Sequence, residues 1–280
     1  MSKNRIPECV NEVLPNYNLP DLNNFIELGN YSDISPIDEF KARFKSIIQL
    51  ANPNFFNEYN EIATSMLLSL ISLTENYFRN IISRCILICP VAQKASASQN
   101  INLGSVLWHG ANNLIHGISE NTSFASGSEI KSISSKFIGF QVQKNSLLDS
   151  VLNEFDKICH FRHAVVHSDG NLAGKNATAL SLTKVEDKVS IKLDYHNFQE
   201  ISALCLTLVT NYNDELFKEI SDRWAVVRRR EFGLDNTNER EEFIKIWNLF
   251  LSTLDESNNT IRTRLTLDDC ISQIKSIYQV

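Results

Sequence analysis

Apolar positions along most of this chain recur three and four residues apart, the spacing that gives a helix one buried face. Ser35 followed by Pro36 reads as a helix cap and first helical position. A helix is therefore expected from Pro36 to about Leu50, ended by Asn52-Pro53. Met66, Leu67, Leu70, Leu73, Phe78, Ile81, Ile82 and Cys85 predict a long helix from about Glu58 to Cys89, closed by Pro90. Residues 91–102 are small and polar and read as a loop. A shorter helix is expected from about Leu103 to Ile118, with Trp108 and Leu114 pointing inward. Residues 119–143 are serine-rich and read as irregular, anchored by Phe137, Ile138 and Phe140. A central helix runs from about Asn145 to His167, where Gly170 stops it.

The period then changes. Ala179 to Thr183 alternate, Glu186-Asp187-Lys188 reads as a turn, and Val189, Ile191 and Leu193 alternate again, which predicts one β-hairpin. Asp194 opens a further helix to about Arg223. Amphipathic helices follow around Phe243, Ile246, Trp247 and Phe250, and from about Leu267 to Tyr278. The expected fold is mainly α, a helical bundle with one small hairpin inserted after the central helix. Three regions are expected: residues 1–57 as an Asn- and Pro-rich arm plus a helix, 58–222 as the helical domain, and 223–280 as a helical extension.

Composition narrows the function classes. A net charge of -6 over 280 residues argues against a protein that coats nucleic acid through bulk charge, while leaving room for a local basic groove. Nine glycines are too few to favour a glycine-rich phosphate loop. The six cysteines sit mostly inside apolar runs and read as buried thiols. Cys85 and Cys89 share a helix face, but no second Cys/His pair at zinc-finger spacing accompanies them. The N-terminus lacks the apolar core of a secretory signal. The uncharged run Ile62 to Thr74 is shorter than the roughly 20 residues a membrane helix needs. A cytoplasmic protein with no membrane partner is expected.

The candidate chemistry lies in the central helix. Leu148, Val151, Phe155, Ile158, Cys159, Val165 and Val166 share one apolar sector, and Arg162 falls in its middle. Arginine stays charged in a protein, so it needs a carboxylate partner or an exit into a groove. His163 and His167 flank it, with His160 one turn earlier. A fixed cation beside imidazoles that can titrate is the beginning of a phosphate site. On the long helix, Glu75 and Arg79 read as a surface pair four residues apart, or else Glu75 reaches across to hold Arg162 or a catalytic histidine. Arg228-Arg229-Arg230 reads either as a solvated face or as a backbone-binding run for RNA.

Arg162-His163-x-x-x-His167 resembles the Arg-x(4–6)-His signature of the HEPN superfamily (higher eukaryotes and prokaryotes nucleotide-binding), in which the motif sits near the end of a long helix. The order of long helix, motif helix, short β excursion and closing helix is also similar, over about residues 58–222. The resemblance implies a metal-independent endoribonuclease without cofactors, in which the RNA 2′-hydroxyl attacks the adjacent phosphate. His167 would be the general acid/base, Arg162 would hold the scissile phosphate, His163 would orient or share the proton, and Glu75 would hold one of them. Arg79 and Arg228–Arg230 would contact the RNA. The resemblance further implies a homodimer with its site between two motif helices, and a toxin–antitoxin or antiviral defence setting with an antitoxin or other partner protein. Many members are non-catalytic binding or scaffold modules, and that reading stays open here.

Overall fold

The computed structural model describes residues 20–29, 33–118, 120, 122–183, 188–233, 238–254 and 265–280. Residues 1–33 and 34–280 are separate compact units. In the first, a 3₁₀ turn spans Leu22–Phe25, capped by Asp21. The second unit is mainly α and holds the earlier-drawn helical domain, the first helix and the C-terminal extension together.

The helices in order are α1 (Pro36–Leu50), α2 (Pro53–Glu58), α3 (Asn60–Ile88), α4 (Pro90–Ser96), α5 (Leu103–Asn113), α6 (Gly127–Ile138), α7 (Leu147–Ser168), α8 (Gly174–Ala179), α9 (Tyr195–Asp222), α10 (Arg228–Glu231), α11 (Glu239–Phe250) and α12 (Leu267–Tyr278). A π-helical turn, Arg223–Val227, joins α9 to α10 without a break. The scaffold is α3, against which α1, α6, α7, α9 and α11 all pack. Its buried side chains include Leu67, Leu70, Ile71, Phe78, Ile81 and Ile82. Each contributes about 1.5–3 kcal/mol through lost apolar surface, an upper figure because unfolded chains already bury some.

Local chemistry sets the helix ends. Ser35 Oγ accepts the Asp38 N–H to start α1, as its sequence predicts. Asn52-Pro53 ends α1 but also opens α2, with Asn52 as the cap. Likewise Pro90 closes α3 and opens α4, so the expected loop over 91–102 is helical to Ser96. The serine-rich segment holds a further helix, α6, with Phe137 and Ile138 on its buried side and Phe140 buried just beyond. Ser134 is tolerated in its core because its hydroxyl donates to the Ile130 carbonyl and meets the Tyr212 hydroxyl.

Two further expectations are corrected. The hairpin does not form: residues 174–179 wind into α8, and Ser181 takes a left-handed φ of 56°, which breaks the alternation of a strand. What remains among the described residues is one antiparallel bridge, Asn171 to Ser190, while Glu186 and Asp187 of the expected turn lie outside them. Trp108 does not point inward and is 84% exposed. The side chain of Leu114, expected beside it, lies outside the described residues, as does Cys9. The other five cysteines are free and buried. No described helix is long and apolar enough to cross a membrane.

Candidate functional site

Helix α7 is anchored at its start and released at its end. Ser146 caps it, and Leu148, Val151, Leu152, Phe155 and Cys159 bury its first four turns against α3, α6 and α9. Further along the same face the contact loosens. Val165 is half-buried, Val166 is 47% exposed, and Arg162 sits half-buried where the helix leaves the core. Asp169, in the left-handed conformation (φ 49°), ends the helix.

Helix α6 crosses α7 very closely. A Cβ on Gly127 would lie 2.0 Å from the Leu152 carbonyl oxygen, so only glycine fits there. That approach lets Asp156 of α7 accept the Gly127 N–H at 2.6 Å and the Ser128 N–H at 3.4 Å. The positive end of α6 is thereby already answered by a carboxylate. Beside this junction opens a groove of about 700 Å³, walled by the start of α6, the outer face of α7 and α8.

Arg162 and His163 line this groove, together with His160, Lys175 and Asn176. Among the described residues Arg162 forms no hydrogen bond and no ion pair. Glu75 feels its charge without contacting it. Burial pushes the Glu75 carboxyl up, Arg162 and then Arg79 draw it back, Glu129 opposes them, and the balance stays above 4.5. Desolvation therefore outweighs the attraction.

The His163 imidazole titrates below its ordinary value. Burial of part of the ring is the first cause, followed by the charges of His167, Arg162, Lys175 and His160. The residue is exposed, so the surrounding cations are the physically firmer cause. The His163 and His167 rings lie 4.5 Å apart between centroids, inclined at 51°. His167 is exposed and is not part of the groove wall.

The remaining expected site residues sit elsewhere. Arg79 lies 3.9 Å from Glu75 and places its guanidinium 5.3 Å from the Phe124 ring centre, and neither lines the groove. Arg228 is paired with Glu242 at 2.7 Å. Arg229 is paired with the buried Glu239, which Lys275 also contacts, and lies against Trp224. These two charges tie α10 to α11 and α12. Arg230 alone of the run is exposed, and none of the three lines the groove.

Comparison with family models, with curated proteins and with solved structures gives no match. The site must be read from its own chemistry.

That chemistry is a fixed guanidinium, a second cation on Lys175 and an imidazole favouring its neutral form, all on one open groove. Such a set can hold a phosphodiester and accept a proton beside it. Lys175 and Asn176 did not stand out in the sequence, where they lie in a short stretch between the motif helix and the expected hairpin. Their one signal was closeness to the motif helix across a short Gly170–Ala173 connection. No group of three or more His, Cys, Asp or Glu among the described residues is placed to hold a metal ion. His109 is held by Glu120 at 2.6 Å, and Ser105 donates to the same carboxylate. The carboxylate stands between hydroxyl and imidazole, so these three do not form a nucleophilic relay.

Proposed function

We propose that the protein is a metal-independent endoribonuclease of HEPN type. One observation carries the reading: a half-buried guanidinium that forms no ion pair among the described residues, opening onto a groove beside titratable imidazoles. An RNA phosphate would supply the charged partner that Arg162 lacks. RNA supplies its own nucleophile, the 2′-hydroxyl. The protein then needs to remove that proton, stabilise the crowded phosphate and protonate the leaving 5′-oxygen. Arg162 holds the phosphate. His163, shifted toward its neutral form, suits the basic role, and His167 completes the acid/base pair. The products are a 2′,3′-cyclic phosphate and a 5′-hydroxyl.

The resemblance to HEPN proteins implies a homodimer in which this end of α7, where Val166 is exposed, meets its copy. The setting that fits such an enzyme is a toxin or antiviral defence system, restrained by an antitoxin or another partner protein. A second reading, a non-catalytic HEPN-type scaffold in a defence or signalling complex, is favoured by one observation: within one chain His167 lies off the groove that Arg162 lines. Incubating EDTA-treated protein with single-stranded RNA separates the two. Cleavage lost in both Arg162→Ala and His167→Ala supports the enzyme, and intact RNA with the unaltered protein supports the scaffold.

A further inference from the structure

His163 and His167 stand one turn apart on α7, both exposed, with ring centres 4.5 Å apart. Among the described residues neither ring forms a hydrogen bond or an ion pair, so each neutral imidazole keeps an open nitrogen lone pair. Imidazoles four residues apart on one helix face are spaced to hold a metal ion between them. A metal about 2.0–2.1 Å from each nitrogen lies about 3.2 Å from each ring centre, so rings that share it stand roughly 4.5 Å apart for ligands at right angles and roughly 5.2 Å apart for tetrahedral ligands. The observed separation matches the first and lies a small side-chain rotation from the second. Another histidine pair fails the same test: the His109 and His116 rings are 6.3 Å apart, and Glu120 holds His109 at 2.6 Å.

We propose that His163 and His167 form a two-nitrogen chelate for a divalent transition metal, Cu²⁺, Ni²⁺ or Zn²⁺, and that the bound ion shuts off RNA cleavage. The inference rests on the ribonuclease reading above. Both imidazoles act there by taking or giving a proton at a ring nitrogen. An ion bound to those nitrogens occupies the lone pairs, so no proton moves through them. No third His, Cys, Asp or Glu among the described residues joins the pair. The site therefore lacks the third protein ligand of a catalytic zinc centre, and the ion acts as an inhibitor rather than a cofactor. Mg²⁺ and Ca²⁺ are excluded because they need oxygen ligands. The nearby charges of Arg162 and Lys175 also repel any ion held by charge alone.

The test titrates EDTA-treated, tag-free, full-length protein with metal ions by calorimetry and follows RNA cleavage over the same range. Saturable binding is expected, tightest for Cu²⁺, weaker for Ni²⁺ and Zn²⁺, and absent for Mg²⁺ and Ca²⁺. His163→Asn and His167→Asn, each at an exposed position, should each weaken binding by about tenfold or more, because a chelate reduced to one arm loses its second, intramolecular contact. His116→Asn should bind as the native chain does. Cleavage by the native protein should fall in step with occupancy and return when EDTA is added. No binding of Ni²⁺ or Zn²⁺, binding undiminished in either the His163 or the His167 variant, or full-rate cleavage at full occupancy overturns the proposal. Binding lost in both variants of a protein that leaves metal-free RNA intact removes the ribonuclease reading and leaves the chelate standing.

Discussion

Replacing Arg162 by methionine separates a functional arginine from a structural one. Methionine keeps most of the apolar stem that packs along α7 and removes the charge. If Arg162 were one half of a buried ion pair, losing it would strand Glu75 and destabilise the fold by about 3–5 kcal/mol. The structure gives a different expectation. No ion pair forms, and the net upward shift of Glu75 means that burial already outweighs the pull of Arg162 and Arg79 together. The change in stability should stay within about 1 kcal/mol, the range of partly exposed charge interactions. Urea unfolding followed by circular dichroism measures it, with the slope checked for constancy.

The pH dependence adds a sign. A carboxyl whose folded pKa is raised binds its proton more tightly when folded, so its effect on stability is unfavourable above that pKa and absent below its unfolded value near 4.5. Without Arg162 the Glu75 carboxyl moves higher still. The variant should therefore lose more stability than the native protein as pH rises from 4.5 toward neutral. A loss of 3 kcal/mol or more at neutral pH, or a variant less pH-sensitive than the native chain, would refute the reasoning.

Three further outcomes follow from the packing. Gly127→Ala should destabilise by about 1–3 kcal/mol, because its Cβ collides with the Leu152 carbonyl, while Gly174→Ala, with open space around it, should be neutral or slightly stabilising in the same thermal melts. Burial pushes the Asp38 carboxyl up, but hydrogen bonds from Ser252, Thr253 and Leu254 outweigh it and hold its pKa below 3.8. Its stabilisation is present above that value and lost as pH falls through the lower folded pKa, so Asp38→Asn should flatten the acid limb of a stability–pH curve. Arg229→Ala should cost about 3 kcal/mol in urea unfolding by leaving Glu239 buried with Lys275 alone, and should leave the salt dependence of RNA affinity unchanged.

How far the sequence carried depended on the scale of the signal. Where a cap and a long period coincide, the helix could be placed closely: Ser35-Pro36 for α1, Asp194 for α9, and the run from Leu267 to Tyr278 for α12. In α6 the period was present in Ile130, Ile133 and Phe137, but serines between them masked it, since a serine whose hydroxyl is satisfied inside the core looks polar in sequence. At six residues α8 is too short to show any period, and the alternation just beyond it, Ala179 to Thr183, imitated a strand. Arg162 and His163 were legible because a charge interrupted an apolar sector. The ion pairs of Arg228 and Arg229 were not, because Glu242 and Glu239 belong to a different helix, α11.

The central claim is tested most directly by mapping the ends of RNA fragments after digestion by metal-stripped protein. The account predicts 2′,3′-cyclic phosphate and 5′-hydroxyl ends from the native protein, and none from folded Arg162→Ala. Intact RNA with the native protein, 5′-phosphate ends, or undiminished cleavage by the variant would contradict it.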